Sequence, residues 1–203
     1  MGRKKTRGRF IALEGADGTG KSTQALLLAD FLKHFGIEAK ITREPNNPAI
    51  LKLIETCTSK EGACLLFAAD RASHSQKIEA LLEEGFWVIS DRFTDSSLAY
   101  QAGGWEMKLG EVEKVNAFAT PLKPDLTLIF SCTPSRAAKR MRRRGNESSF
   151  DQNFPLQRKV GNEYRLLARR GGGRKIMDAS AEARKVGARV REEVKRKWKL
   201  QTR

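Results

Sequence analysis

The sequence predicts an α/β fold: a mostly parallel five-stranded sheet with helices on both faces. Two observations predict it. Short, continuously apolar runs alternate with amphipathic helical patterns along the 203-residue chain, the pattern of strands buried on both faces. Glycines also stand where helices must stop, Gly36 and Gly85 being placed where a helix end needs positive φ.

The elements follow in order. Residues 9–13 read as a first strand, followed by a glycine-rich turn and a helical pattern from about 21 to 35. Residues 37–42 read as a second strand, 49–56 and 61–84 as helices, and 86–90 as a third strand. Helical stretches near 95–102 and 111–119 lead to a fourth strand at 126–131. A helix at 135–143, a polar loop at 145–155 and a helix at 156–169 follow. Gly171, Gly172 and Gly173 form a loop before a short fifth strand at 175–178, and an amphipathic helix near 180–199 closes the chain. In such sheets ligands sit at the carboxyl ends of the strands.

Composition narrows the function classes. Hydrophobic residues make up 39% of the chain, enough for one core that buries about 70% of the unfolded surface. No apolar run reaches the roughly 20 residues of a membrane span, and the four apolar residues after the first nine are too few for a signal peptide. Three cysteines, Cys57, Cys64 and Cys132, lack paired-ligand spacing, so they are expected to be small buried residues of a reduced, cytoplasmic protein. The net charge of +15 is concentrated at the ends: residues 1–9 hold five basic and no acidic residues, and 184–203 hold nine basic against two acidic. Residues 1–8 and 200–203 are therefore read as tails around a single domain at 9–199. Nucleic acid would bind only through those tails. The internal basic cluster at Arg136, Lys139, Arg140, Arg142, Arg143 and Arg144 is a candidate anion site.

The sharpest motif lies between the first strand and the first helix. Gly15, Ala16, Asp17, Gly18, Thr19, Gly20, Lys21 and Ser22 make a complete Gly-x-x-x-x-Gly-Lys-Ser, followed by Thr23. Glycines there let successive backbone N–H groups point at phosphate oxygens, and the helix adds its positive end. The fold is thus of the phosphate-loop type. Lys21 is placed to bridge the β- and γ-phosphates of ATP, and the Ser22 hydroxyl to bind Mg²⁺. Groups that face this loop should follow the other strands, as Arg43, Glu44 and Pro45 do after the second and Asp91 and Arg92 after the third. Asp91 suits a metal-orienting carboxylate and Arg92 a second anionic substrate. Phe67 and Arg71, one turn apart on the long helix, could stack on a base and hydrogen-bond its edge.

Together these residues resemble the thymidylate kinase family. Residues 15–23, 42–45, 66–71, 87–92, 99–101 and 124–127 look like its ordered motifs, and the similarity spans about 9–199. The resemblance implies ATP, Mg²⁺ and dTMP, a small mobile lid at about 140–155, and homodimerisation. It places Asp17 at the 3′-hydroxyl of dTMP, Arg43 and Arg92 at its phosphate, Phe67 on the thymine ring and Arg71 at a base carbonyl. Tyr100 would exclude a ribose 2′-hydroxyl, Ser97 and Gln101 would lie near the base, and Tyr164 near the sugar. Arg140 resembles the residue beside the ATP adenine.

One family style carries an arginine in the phosphate loop; the other supplies it from the lid. Gly18 puts this chain in the second style, with Arg142 or Arg144 as the lid arginine. The lid departs from the family pattern. Ser148, Ser149, Phe150 and Asp151 stand where Asp-Arg-x-Glu is common, and Ser131, Leu156 and Gly161 replace an acidic residue, Phe and Arg. Other readings of the same residues are another nucleotide or nucleoside kinase of this fold, a nucleic-acid-associated ATPase, or a weakened nucleotide binder.

Overall fold

A computed structural model describes residues 6–143 and 154–201. Among the described residues the five strands are β1 (Phe10–Glu14), β2 (Ala39–Arg43), β3 (Trp87–Asp91), β4 (Leu126–Ser131) and β5 (Arg174–Asp178). They form one all-parallel sheet in the order β2-β3-β1-β4-β5, as the alternation of elements predicts. The helices are α1 (Lys21–Lys33), α2 (Pro48–Thr56), α3 (Lys60–Glu83), α4 (Thr94–Ser97), α5 (Leu109–Ala119), α6 (Pro134–Arg142), α7 (Phe154–Arg169) and α8 (Ala183–Trp198). α4 runs directly into a π-helical segment, Leu98–Gly104.

Alternate residues of β1, β3 and β4 supply the two faces. Ile11 and Leu13 pack with Leu28 and Leu32 of α1 and Val186, Val190 and Val194 of α8. Phe10, Ala12 and Val88 pack instead with Ile78 and Leu82 of α3. Ile129 of β4 joins a third cluster that includes Ala99, Val112, Val160 and Leu167. Both faces of the central strands β1, β3 and β4 are therefore covered, which is why these read as apolar runs, whereas the edge strands β2 and β5 keep exposed residues.

Three differences from the sequence reading have physical causes. β1, β2 and β3 each continue one residue past the apolar run, to Glu14, Arg43 and Asp91, because the ladder still pairs there: Glu14 lies opposite Ile129 and Arg43 opposite Asp91. The helix expected near 95–102 splits into α4 and the π segment. Of the cysteines, only Cys64 is buried. Cys57 lies in the turn between α2 and α3 and Cys132 just beyond β4, so both are half-buried at element ends rather than in the core. Residues 1–5 and 202–203 of the tails, and residues 144–153 of the lid, lie outside the described residues.

Helix boundaries follow capping chemistry. Asn47 accepts from the Ala49 N–H at 2.9 Å and Pro48 opens α2, while Ser59 accepts from the Gly62 N–H at 2.9 Å to start α3. Gly36 and Gly85 have φ of 68° and 89° just past α1 and α3. Buried Asp70 on α3 accepts from the backbone N–H groups of Asn46 and Asn47 at 2.8 and 2.7 Å, fixing the turn after β2.

Leu28 is 1% exposed and Leu26, two residues away on α1, is 65% exposed. Leu28→Ala should therefore cost about 2–5 kcal/mol, and Leu26→Ala at most about 0.5 kcal/mol, measured by urea unfolding with unchanged m-values.

Candidate active site

The carboxyl ends of β1 and β3 meet at the centre of the sheet, and the site is built there. After β1 the chain turns through the phosphate loop into α1. Gly15 has φ 138°, and a Cβ on it would lie 2.4 Å from the Phe130 carbonyl oxygen; Gly18 has φ 74°, with its would-be Cβ 2.5 Å from the Ala137 carbonyl oxygen. Only glycine fits at either position. An arginine at 18 would have to displace α6, so the packing agrees with a loop that carries no arginine of its own.

Lys21, 6% exposed, turns its Nζ back onto the loop and donates to the Gly15 and Ala16 carbonyl oxygens at 2.9 and 3.0 Å. Burial, with Arg92 nearby, lowers its pKa from 10.5 to about 8, against the opposing pull of Asp17, Asp91 and Glu14. The Ser22 hydroxyl donates to Asp91 Oδ2 at 2.5 Å. Magnesium is commonly held by one or two protein oxygens plus substrate phosphates, and this hydroxyl–carboxylate pair is a hard-oxygen set suited to it.

Arg92 is the hub. It follows β3 with φ 80°, a conformation that non-glycine residues rarely hold. Its guanidinium pairs with Asp17 Oδ1 and donates to Tyr100 Oη at 3.1 Å, Ser96 Oγ at 3.2 Å and the Gly15 carbonyl oxygen at 3.5 Å. It also stacks over the Tyr100 ring, 4.9 Å from the centroid. Burial disfavours its charge, but Tyr100, Asp17, Tyr164 and Glu14 outweigh that and hold its pKa above the usual arginine value. Asp17 also accepts from Tyr100 Oη at 3.0 Å and Gln157 Nε2 at 2.8 Å. Burial resists ionisation of its carboxyl, yet Arg92 and Lys21 bring its pKa down to about 2.

Among the described residues, cavities border this cluster on several sides. One, of about 210 Å³, is lined by Glu44 and Pro45 after β2, Phe67 and Arg71 of α3, Arg92, Ser97 of α4, and Tyr100 and Gln101 of the π segment. These are eight of the positions expected from sequence. Trp105, Leu51 and Ser96 line it too and were not anticipated. Trp105 faces Phe67 with ring centroids 6.3 Å apart. A second cavity, of about 250 Å³, is lined by Thr19, Gly20 and Thr23 of the loop with Arg140, Ala183 and Val186. Arg140 Nη2 donates to the Ala179 and Ala181 carbonyl oxygens at 2.8 and 2.9 Å, strapping α6 to the segment after β5.

Not every expected residue reaches the first cavity. Arg43 is exposed at the end of β2 and is not among its lining residues. Tyr164 is buried behind Ser96, with Oη 2.9 Å from both Ser96 Oγ and Glu14 Oε2. Arg142 ends α6, and Arg144 lies outside the described residues. Arg71 lines the cavity with no free donor: its five N–H groups meet Glu44 Oε2 at 3.0 and 2.7 Å, Ser97 Oγ at 2.8 Å, Asn116 Oδ1 and the Phe93 carbonyl oxygen at 3.3 Å. Glu44 is steadied in turn by His74 Nδ1 at 3.1 Å. Besides Trp105, Leu51 and Ser96, sequence reading missed Glu14, His74, Asn116 and Gln157. Glu14 and Gln157 carried no signal, since each is linked to its partners only through the fold.

The family model described as thymidylate kinase matches residues 13–190. The chain belongs to the thymidylate kinase family. It is 39% identical over 193 residues to a probable thymidylate kinase of Pyrococcus abyssi, covering 89% of this chain and 92% of that protein. It is 40% identical over 193 residues to a probable thymidylate kinase of Thermococcus kodakarensis, covering 87% and 92%. A thymidylate kinase of Afipia carboxidovorans is 36% identical over 199 residues, covering 91% and 87%. Among the described residues of this family member, no helix is long and apolar enough to cross a membrane.

Were Lys21 to hold a nucleotide's phosphates, its lowered pKa would set a pH limit on their capture. A bound polyphosphate favours the charged amine, so binding draws a proton onto Lys21 once the pH passes about 8. Calorimetry of a non-hydrolysable nucleoside triphosphate should show affinity flat below pH 8 and falling up to about tenfold per unit above it, with proton uptake at pH 9 that Lys21→Met abolishes.

Proposed function

We propose that this chain transfers the terminal phosphoryl group of ATP in line to dTMP, with the donor in the cavity beside Thr19, Gly20 and Thr23 and the acceptor in the cavity beside Phe67. Family membership makes the reaction the phosphorylation of dTMP. The observation that carries the assignment of the two cavities is the position of Arg92, which lines the acceptor cavity and at the same time bonds the phosphate loop through Asp17 and Gly15.

The obstacle to this reaction is charge. The acceptor phosphate has a second pKa near ~6 and is already largely ionised at pH 7, so it needs no general base. Two polyanions must instead be brought together, and the chain's cations serve that end. Lys21 exchanges its two loop carbonyls for β- and γ-phosphate oxygens, while N–H groups from Gly15 to Thr23 cradle them. Arg140 flanks the adenine. Ser22 and Asp91 would hold magnesium, which when bound neutralises phosphate charge and orients the transferring group. Arg92 takes the acceptor phosphate; Arg43, exposed at the end of β2 and outside the cavity lining, would have to swing in to join it. The lid arginine is Arg142 or Arg144, and closure of the lid excludes water as a competing acceptor.

Acceptor selection falls to the walls. Phe67 stacks on thymine, and Arg71 trades one of its internal partners for a base carbonyl, with Ser97 and Gln101 alongside. Asp17, aligned by Arg92, Tyr100 and Gln157, accepts from the 3′-hydroxyl. Tyr100, fixed between Arg92 and Asp17, occupies the space that a 2′-hydroxyl would need, and Tyr164 supports the sugar from behind Ser96. A homodimer belongs to the same reading; Leu65, 60% exposed on α3, is a side chain that such a contact would cover.

An acceptor panel of dTMP, dUMP, UMP and thymidine tests the reading. dTMP should give the highest kcat/KM, and a clear preference for UMP or thymidine would overturn it. Arg92→Ala should lower kcat/KM for dTMP by about a hundredfold or more through lost charged hydrogen bonds. Phe67→Ala should raise the KM for dTMP roughly tenfold through lost stacking, with the KM for ATP unchanged.

A further inference from the structure

Glu14 is the last residue of β1 and is fully buried beneath the acceptor site. Its carboxylate gathers four hydrogen bonds. Oε1 accepts from the backbone N–H of Phe93 at 2.8 Å and of Ser96 at 3.2 Å; Oε2 accepts from Ser96 Oγ at 2.6 Å and Tyr164 Oη at 2.9 Å. One side chain thus ties the central strand to the turn after β3, the start of α4, and α7.

The turn it holds is that of Arg92. The Arg92 N–H donates to the Leu13 carbonyl oxygen at 2.9 Å, the Arg92 carbonyl oxygen accepts from Ser90 Oγ at 2.7 Å, and the next N–H, that of Phe93, goes to Glu14. A left-handed conformation in a non-glycine residue persists only where its surroundings over-determine it. Here they do so at three consecutive polar groups. The same carboxylate orients Ser96 Oγ, which accepts from Arg92 Nη1 at 3.2 Å. Glu14 therefore reaches both ends of Arg92, backbone and guanidinium, without touching the cavity.

We propose that Glu14 is a positioning residue for acceptor binding: it holds Arg92 and Ser96 in the geometry that receives the acceptor phosphate. This rests on the reading of Arg92 given above. The tether depends on hydrogen bonds more than on charge. Burial, and then Asp95 nearby, raise the Glu14 pKa from 4.5 to about 7, against Ser96, Arg92 and Tyr164. A neutral group that accepts through one oxygen and donates through the other atom can satisfy the same four partners, because the hydroxyls of Ser96 and Tyr164 can turn to accept.

Steady-state kinetics of Glu14→Ala and Glu14→Gln, with Arg92→Ala as reference, test the proposal. Glu14→Ala should raise the KM for dTMP about tenfold or more, the scale on which misplaced groups act, while the KM for ATP stays within about twofold. Glu14→Gln should return the dTMP KM to within about threefold of wild type. Should Glu14→Ala fail to fold, Glu14→Asp, whose carboxylate is one methylene shorter, should show the same split at a measurable melting temperature. A dTMP KM unchanged in a folded Ala or Asp variant overturns the proposal, as does a parallel rise in both KM values. An Arg92→Ala enzyme with wild-type dTMP KM overturns the reading of Arg92 and this inference together; a defective Arg92→Ala beside a normal Glu14→Ala overturns this inference alone.

Discussion

The contact between Arg92 and Asp17 joins the two halves of the site. Asp17 belongs to the phosphate loop, Arg92 to the turn after β3, and their pairing sets the phosphate loop against a wall of the cavity beside Phe67. It is possible because β1 and β3 are neighbours in a parallel sheet, with Leu13 opposite Asp91. Both strands end at the same height and point the same way, so the groups that follow them converge. The parallel pairing of β3 with β1 is thus what sets a cation from one loop beside an anion from another.

Once assembled, the site satisfies itself. Lys21 rests on its own loop, Arg71 spends every donor on Glu44, Ser97, Asn116 and Phe93, and Asp17 takes bonds from Arg92, Tyr100 and Gln157. Burying so many charges without partners would cost several kcal/mol each. Internal pairing keeps the arrangement ordered, and a ligand enters by replacing bonds rather than by making the first ones.

Much of this was legible in the sequence because it is local. The phosphate loop is a contiguous motif whose glycines each have one steric reason, and the apolar runs mark the strands to within a residue or two. The pairs Phe67–Arg71 and Asp91–Arg92 were visible for the same reason. What stayed hidden is long-range. Gln157 lies 140 positions from Asp17, and Tyr164 lies 150 from Glu14. Glu14 itself looked like the polar residue that ends an apolar run, where hydropathy stops counting but the β-ladder continues. Trp105 sat in a stretch with no periodic signal, since the π-helical turn before it follows neither the 3.6-residue nor the two-residue repeat.

The pre-engaged guanidinium of Arg71 carries a consequence for discrimination. A pocket that offers a free cation attracts any electron-rich ring, and its choice is made by attraction alone. One whose cation is already bonded to four residues is indifferent until a guest presents an acceptor that matches a bond it must break. On the proposed reading of this pocket, selectivity becomes a matter of exchange: a base lacking a suitably placed carbonyl would leave the old partners in place and be held by stacking only. The residues around Arg71 would therefore compete with a guest for its guanidinium, and that competition would sharpen the difference between a good guest and a merely aromatic one.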